Sequence, residues 1–268
     1  MPHVQAGDIR IYYEIAGAGR KLLFINGTGA DLRFRPNAFD GPLGKNFHVL
    51  GYDQRGLGRT EKPGRPYTMA EYADDAAALL DALGWDRAHV MGVSFGGMVA
   101  QHVALRHPKK VERLVLACTS SGGTGGASYP LHELGGMDVE ARARFMIPVS
   151  DTRHDAAWQV AHTEAHAAMI AQQVASAAIG NDDPNKAMGA RRQLEARMDH
   201  DTFARLGEIR SPTLLCAGRY DGVAPLSNMQ AMQKKIPNAR LEVFEGGHLF
   251  LIQDKRAYAE IVQFLQQS

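Results

Sequence analysis

Three side chains, Ser94, Asp221 and His248, are of the types needed for a serine nucleophile, an orienting carboxylate and a general base. Ser94 lies in Gly92-Val93-Ser94-Phe95-Gly96-Gly97, between an apolar run (88–93) and a helical pattern (95–107). A G-x-S-x-G at a strand-to-helix junction is a nucleophile elbow, a turn tight enough to demand glycine on both sides and to leave the hydroxyl exposed. The helix start also brings free N–H groups and a positive dipole end to the serine. In a chain with 28 glycines the pattern alone arises by chance, so its position at the junction carries the reading. Asp221 sits in AGRYDGVAP after the run 212–218, and His248 in EGGHLF after the run 240–245. Both fall beyond the carboxyl ends of expected strands, where open α/β sheets place their sites. A serine hydroxyl is a poor nucleophile at neutral pH. His248 would take its proton and later give it to the leaving group, and Asp221 would orient the imidazole and stabilise its charged form.

A fourth segment, Asn26-Gly27-Thr28-Gly29, follows the apolar run 21–26. A tight turn there points backbone N–H groups at the elbow, and the N–H groups of Thr28 and Phe95 are the expected oxyanion hole. Such donors are worth about 3–4 kcal/mol each at a transition state. The turn lacks the third glycine of G-x-G-x-x-G, which argues against a nucleotide loop.

These segments need a scaffold of strands and helices. Strands are expected at 11–15, 21–26, 48–53, 88–93, 113–118, 212–218 and 240–245. Several are continuous apolar runs, as suits strands buried on both faces. Thr68-Met-Ala-Glu71 is a capping box, and Tyr72, Ala76, Leu79, Leu80 and Leu83 follow at helical spacing before Gly84. Further helices are expected at 95–107, 226–236 and 255–267. Alternating strands and helices imply a mostly parallel sheet. From Thr119 to Glu208 the alternation stops: after SSGGTGGASYP come helical patterns at 138–147, 154–179 and 185–198 with no strand. The expected organisation is therefore an α/β core (1–118 and 209–268) with a helical cap inserted at 119–208.

Composition removes other classes. Lys+Arg is 30 against Asp+Glu 29, a formal charge of +1, with none of the basic excess of a nucleic-acid binder. At 268 residues the chain buries enough surface to need no staples. Cys118 and Cys216 lie in apolar runs and read as free core thiols. No signal peptide and no apolar run of membrane-spanning length is visible, so the expectation is a soluble, cytoplasmic protein.

With these motifs in place, the chain resembles the α/β-hydrolase superfamily over all but the cap. Asp53-Gln-Arg-Gly-Leu-Gly58 is similar to that family's D-x-R-G-x-G loop, and GVSFGGMVAQ (92–101), Gly218-Arg-Tyr-Asp221 and Gly246-Gly-His248 are similar to its remaining segments. INGTGADL (25–32) and GPLGKNFHVLGYDQRGLG (41–58) resemble the 3-oxoadipate enol-lactonase branch. FINGTGADL, MGVSFGG, IPNARL (236–241) and GGHLFLI (246–252) resemble intracellular medium-chain polyhydroxyalkanoate depolymerases. The resemblance implies an α/β-hydrolase fold, a Ser94–Asp221–His248 triad, no cofactor and no metal. It implies a small ester or lactone substrate, with hydroxyalkanoate oligomers among the candidates. Two departures stand out. Asn26-Gly27 replaces a common His-Gly, and the residues after His248 lack the tryptophan usual in C–C bond hydrolases, which lowers that reading.

The expected function is a serine hydrolase cleaving a carboxylic ester or lactone through an acyl-enzyme. The same triad would also serve a thioesterase, a perhydrolase or a C–C hydrolase, whereas a non-catalytic ligand-binding protein would have no need of it. Asn26, Val223 and Phe250 are expected to line the substrate pocket, with Phe95 adjoining it. Met137, Met146, Met169 and Met188 are candidates for an adaptable apolar entrance. His162 and His166, at i,i+4 spacing, would share a helix face, but Glu164 is misplaced for H-E-x-x-H.

Overall fold

The computed structural model describes residues 2–267. Eight strands form one sheet: β1 (His3–Ala6), β2 (Ile9–Ala16), β3 (Lys21–Ile25), β4 (His48–Tyr52), β5 (Ala88–Val93), β6 (Val111–Ala117), β7 (Thr213–Gly218) and β8 (Ala239–Phe244). Their spatial order is β1-β2-β4-β3-β5-β6-β7-β8. β1–β2 and β2–β4 are antiparallel, and every other pairing is parallel. The β3–β4 exchange puts β3 beside β5, so the turn after β3 and the turn after β5 emerge next to each other.

Ten α-helices accompany the sheet: α1 (Pro42–Asn46), α2 (Met69–Ala82), α3 (Phe95–Arg106), α4 (Val139–Ser150), α5 (Ala156–Ala161), α6 (Thr163–Ala178), α7 (Lys186–Met198), α8 (Leu226–Lys235), α9 (Phe250–Gln253) and α10 (Arg256–Gln266). Alternate strand residues feed two cores. Leu23, Ile25 and Val90 pack with α2, α3 and α8, whereas Leu22, Phe24 and Met91 pack with α1, α9 and α10. α2 starts at the expected capping box: Thr68 Oγ1 accepts from Glu71 N (3.2 Å) and Glu71 Oε2 from Thr68 N (2.9 Å). Among the described residues no helix is long and apolar enough to cross a membrane.

Four elements differ from the sequence reading: the short helices α1 and α9 are not among the expected ones, and β1 and the segment 154–179 also depart from it. β1 has too few residues to show an alternation, and its pairing with β2 defines it. The single helix expected over 154–179 is broken at His162 (φ −129°, ψ 48°), which ends α5 and precedes α6. No Gly or Pro marks the break; the His162 ring stacks on Trp158, and its Nδ1 lies 3.0 Å from Trp158 O. His162 and His166 therefore do not share one continuous helix face. Between β6 and β7 the chain runs through α4–α7, but Thr119, Ser120 and Ser121 are fully buried at the base of this segment.

Candidate active site

Ser94 joins β5 to α3 at φ 55° and ψ −116°, a region an L-residue rarely occupies. The conformation depends on its neighbours. A Cβ on Gly92 would overlap Gly96 O, and one on Gly96 would overlap Ile25 O. Behind the serine, Ser94 O accepts from Gly97 N (2.9 Å), Met98 N (3.2 Å) and Thr119 Oγ1 (2.8 Å). Phe95, the next residue, is wholly buried with its ring edge-on to Tyr72 (5.1 Å). Burying such a ring is worth about 1.5–3 kcal/mol, which helps hold the turn in this conformation. Its side chain belongs to the core and contributes no pocket wall.

His248 Nε2 lies 3.0 Å from Ser94 Oγ, and His248 Nδ1 lies 2.8 Å from Asp221 Oδ2. A carboxylate only accepts, so Nδ1 carries the proton and Nε2 presents its lone pair to the serine hydroxyl. The other carboxylate oxygen, Oδ1, accepts from Val223 N and Ala224 N, both at 2.8 Å. Asp221 is thus buried and fixed by its own turn. The structure brings Ser94, Asp221 and His248 into one hydrogen-bonded chain.

The turn after β3 reaches the same place. Gly27 packs against Ser94, with its Cβ direction ending 3.5 Å from Ser94 Cβ. The Thr28 and Phe95 N–H groups, the expected oxyanion donors, have no protein acceptor among the described residues. The turn is held from outside: Gln54 Nε2 donates to Asn26 O (2.9 Å) and Gly29 N to Gln193 Oε1 (2.8 Å). Thr28 Oγ1, Gln54 Oε1 and Gln193 Nε2 are buried with no hydrogen-bond partner. The loop after β4 is equally fixed. Asp53 accepts from Leu32 N (2.7 Å) and Arg59 N (2.8 Å), and burial raises its pKa to about 6. Arg55 makes a two-pronged bond to Asp75.

Asn26 and His248 line a cleft of about 530 Å³ whose walls include Phe34, Val93, Leu249 and Ile252. That volume suits a small organic ligand. Two expected lining residues lie elsewhere. Phe250 is fully buried and stacked on Phe244 (5.1 Å), because the turn after His248 starts α9 and swings it into the core. Val223 is 3% exposed and serves the site through its backbone N–H. Of the methionines, Met188 lines an open cavity, Met169 packs on the small cluster of Ala143, Ile147 and Ile170, and Met137 is exposed. Cys118 and Cys216 are buried free thiols whose pKa values burial pushes up. Among the described residues no group of three or more His, Cys, Asp or Glu is placed to hold a metal ion.

The sequence reading missed Gln193 and the end of α4. His248 N donates to Ser150 O (2.6 Å) and Gly222 N to Val149 O (3.1 Å), so α4 is bonded to both the His248 and the Asp221 turns. No motif marks these positions.

The alpha/beta hydrolase fold family matches residues 21–255. The chain belongs to that family. A poly(3-hydroxyalkanoate) depolymerase of Ectopseudomonas oleovorans is 32% identical over 249 residues, covering 92% of this chain and 84% of its own. A putative carbamate hydrolase, RutD, of Azorhizobium caulinodans is 30% identical over 267 residues, covering 93% and 92%. Among solved structures, the enol-lactonase from Burkholderia xenovorans LB400 superimposes with a TM-score of 0.78 at 25% identity, covering 99% of this chain and 100% of its own.

Proposed function

We propose that this α/β hydrolase is a serine hydrolase that cleaves a small carboxylic ester or lactone through an acyl-enzyme. The observation that carries the reading is the Ser94–His248–Asp221 chain at 3.0 and 2.8 Å beside two unengaged N–H groups. His248 Nε2 takes the Ser94 proton as Oγ attacks the carbonyl carbon. The developing oxyanion is held by the Thr28 and Phe95 N–H groups. His248 then protonates the leaving alcohol, which in a lactone stays tethered to the acyl group, and activates a water to release the acid. The apolar cleft beside His248 suits an uncharged acyl or alcohol group. Relatives named poly(3-hydroxyalkanoate) depolymerase, putative carbamate hydrolase and enol-lactonase support the reading, and hydroxyalkanoate oligomers belong in the substrate panel.

The test is a panel of esters of graded acyl length, lactones, hydroxyalkanoate oligomers, thioesters, carbamates and vinylogous diketones, run with the parent and Ser94→Ala. Ester or lactone turnover is expected to dominate and to fall by at least a thousandfold in Ser94→Ala, with thermal unfolding little changed. A fluorophosphonate should label Ser94. Undiminished turnover by Ser94→Ala would sink the assignment.

A further inference from the structure

Arg197, in the last turn of α7, is 7% exposed, and burial alone lowers its pKa to about 10 with no carboxylate beside it. Its Nη2 donates to Ser128 Oγ and Tyr129 O, both at 2.6 Å. Nε and Nη1 have no protein acceptor among the described residues. Buried cations are normally paired, because an unpaired charge loses its hydration without recompense. The guanidinium lines a cavity of about 110 Å³ together with Met98, Pro130, His132, Met198 and His200. His132 also lines the cavity, and its Nδ1 is buried with no partner among the described residues. His200 is already engaged, with Nε2 2.9 Å from Ser120 O and Nδ1 3.2 Å from His102 Nε2. Burial holds His200 and His102 at about 4 and about 3, so both are neutral near pH 7. The cavity therefore presents one uncompensated positive charge.

We propose that this cavity binds a short-chain carboxylate, its head on Arg197 and His132 and its hydrocarbon part against Met98 and Met198. A guanidinium is built to take a carboxylate in a fork of two parallel bonds. With about 30 Å³ per water, the cavity has the volume of roughly three to four waters, which matches acetate to butyrate. Phosphate shares the oxyanion chemistry, but the Met98, Pro130 and Met198 walls suit a hydrocarbon tail better than further oxygens. The proposal rests on the hydrolase reading for its ligand class, since ester cleavage releases such an anion. Binding itself does not require Ser94.

The test is calorimetric titration of the parent with sodium butyrate, acetate and phosphate at constant ionic strength, with chloride as control. Saturable butyrate binding is expected in the parent, in Ser94→Ala and in protein blocked at Ser94 with a fluorophosphonate. It should weaken at least tenfold in Arg197→Met and several-fold in His132→Ala. Absence of saturable binding in the parent overturns the proposal without any variant. So does butyrate binding that survives Arg197→Met or disappears when Ser94 is blocked, which would move the anion to the serine. Binding of phosphate but not butyrate overturns the carboxylate assignment. Failure of the fluorophosphonate to label Ser94 would count against the hydrolase reading alone, because the parent and Ser94→Ala titrations still decide this one.

Discussion

Asp221 shows how much one carboxylate decides. Oδ1 is committed to the Val223 and Ala224 N–H groups, so only Oδ2 is left for His248. In Asp221→Asn the amide oxygen must stay at the Oδ1 position, because the two backbone donors require an acceptor. The NH2 group then faces His248 Nδ1 and forces that nitrogen to accept, which moves the imidazole proton to Nε2. Nε2 can no longer take the proton of Ser94. We expect kcat to fall on the order of 10⁴-fold with the fold intact, the size seen when a triad histidine is held in the wrong tautomer. Steady-state kinetics with a p-nitrophenyl ester check this; a loss below tenfold would mean His248 keeps its tautomer without Asp221. At this scale the sequence is legible where geometry restricts residue type. Gly92 and Gly96 are identifiable because no larger residue fits, and Asp221 and His248 because each lies just beyond the carboxyl end of a strand. Phe250 misleads because an apolar residue beside a site residue reads equally as pocket wall or core, and only the onset of α9 decides between them.

The helical segment between β6 and β7 bonds to the site at two separate places. The end of α4 accepts from His248 N and Gly222 N, and α7 sends Gln193 to Gly29 N in the turn after β3. These helices thus help position the site, beyond any role as a cover. Gln193 is wholly buried, and in Gln193→Leu the Gly29 N–H loses its acceptor. Loss of this partly buried bond costs about 0.5–1.5 kcal/mol, and the turn will shift to recover a partner. We expect kcat/KM to fall about tenfold, or ~1.4 kcal/mol at the transition state, mostly in kcat. Gln193→Glu, which keeps an acceptor, should retain more activity than the leucine variant. Equal activity in the leucine variant and the parent would show that the turn holds itself. Neither contact is legible in the sequence. Gln193 stands 164 residues from Gly29, on a helix without a marked apolar stripe, and a hydrogen bond between distant segments leaves no periodic signal. The strands were legible because burial on both faces leaves a continuous apolar run, as in β5 and β7.

Across the whole molecule, several histidines are enclosed in the neutral form, and this sets how the fold responds to acid. His89, on the central strand β5, is fully buried, and neither ring nitrogen has a hydrogen-bond partner. Burial lowers its pKa to about 4, with Glu112, 3.5 Å from Nδ1, working weakly in the opposite sense. His102 and His200 are lowered to about 3 and about 4 for the same reason. In the unfolded chain each titrates near 6.5. Between about pH 4 and 6.5 the unfolded state therefore binds more protons than the folded one, and stability falls as pH is lowered through that window. Asp53, raised to about 6 by burial, acts the other way, so the slope of the parent alone does not isolate the histidines. The difference between parent and His89→Leu does. Leucine fills a similar volume against Phe47 and carries no proton to bind. Relative to the parent, the variant should gain about 2 kcal/mol on going from pH 7 to pH 4.5, from roughly 1.4 kcal/mol per pH unit over the part of the window crossed. Urea unfolding of both proteins at the two pH values measures it. Parallel pH profiles would show that burial leaves the His89 pKa where it is in the unfolded chain.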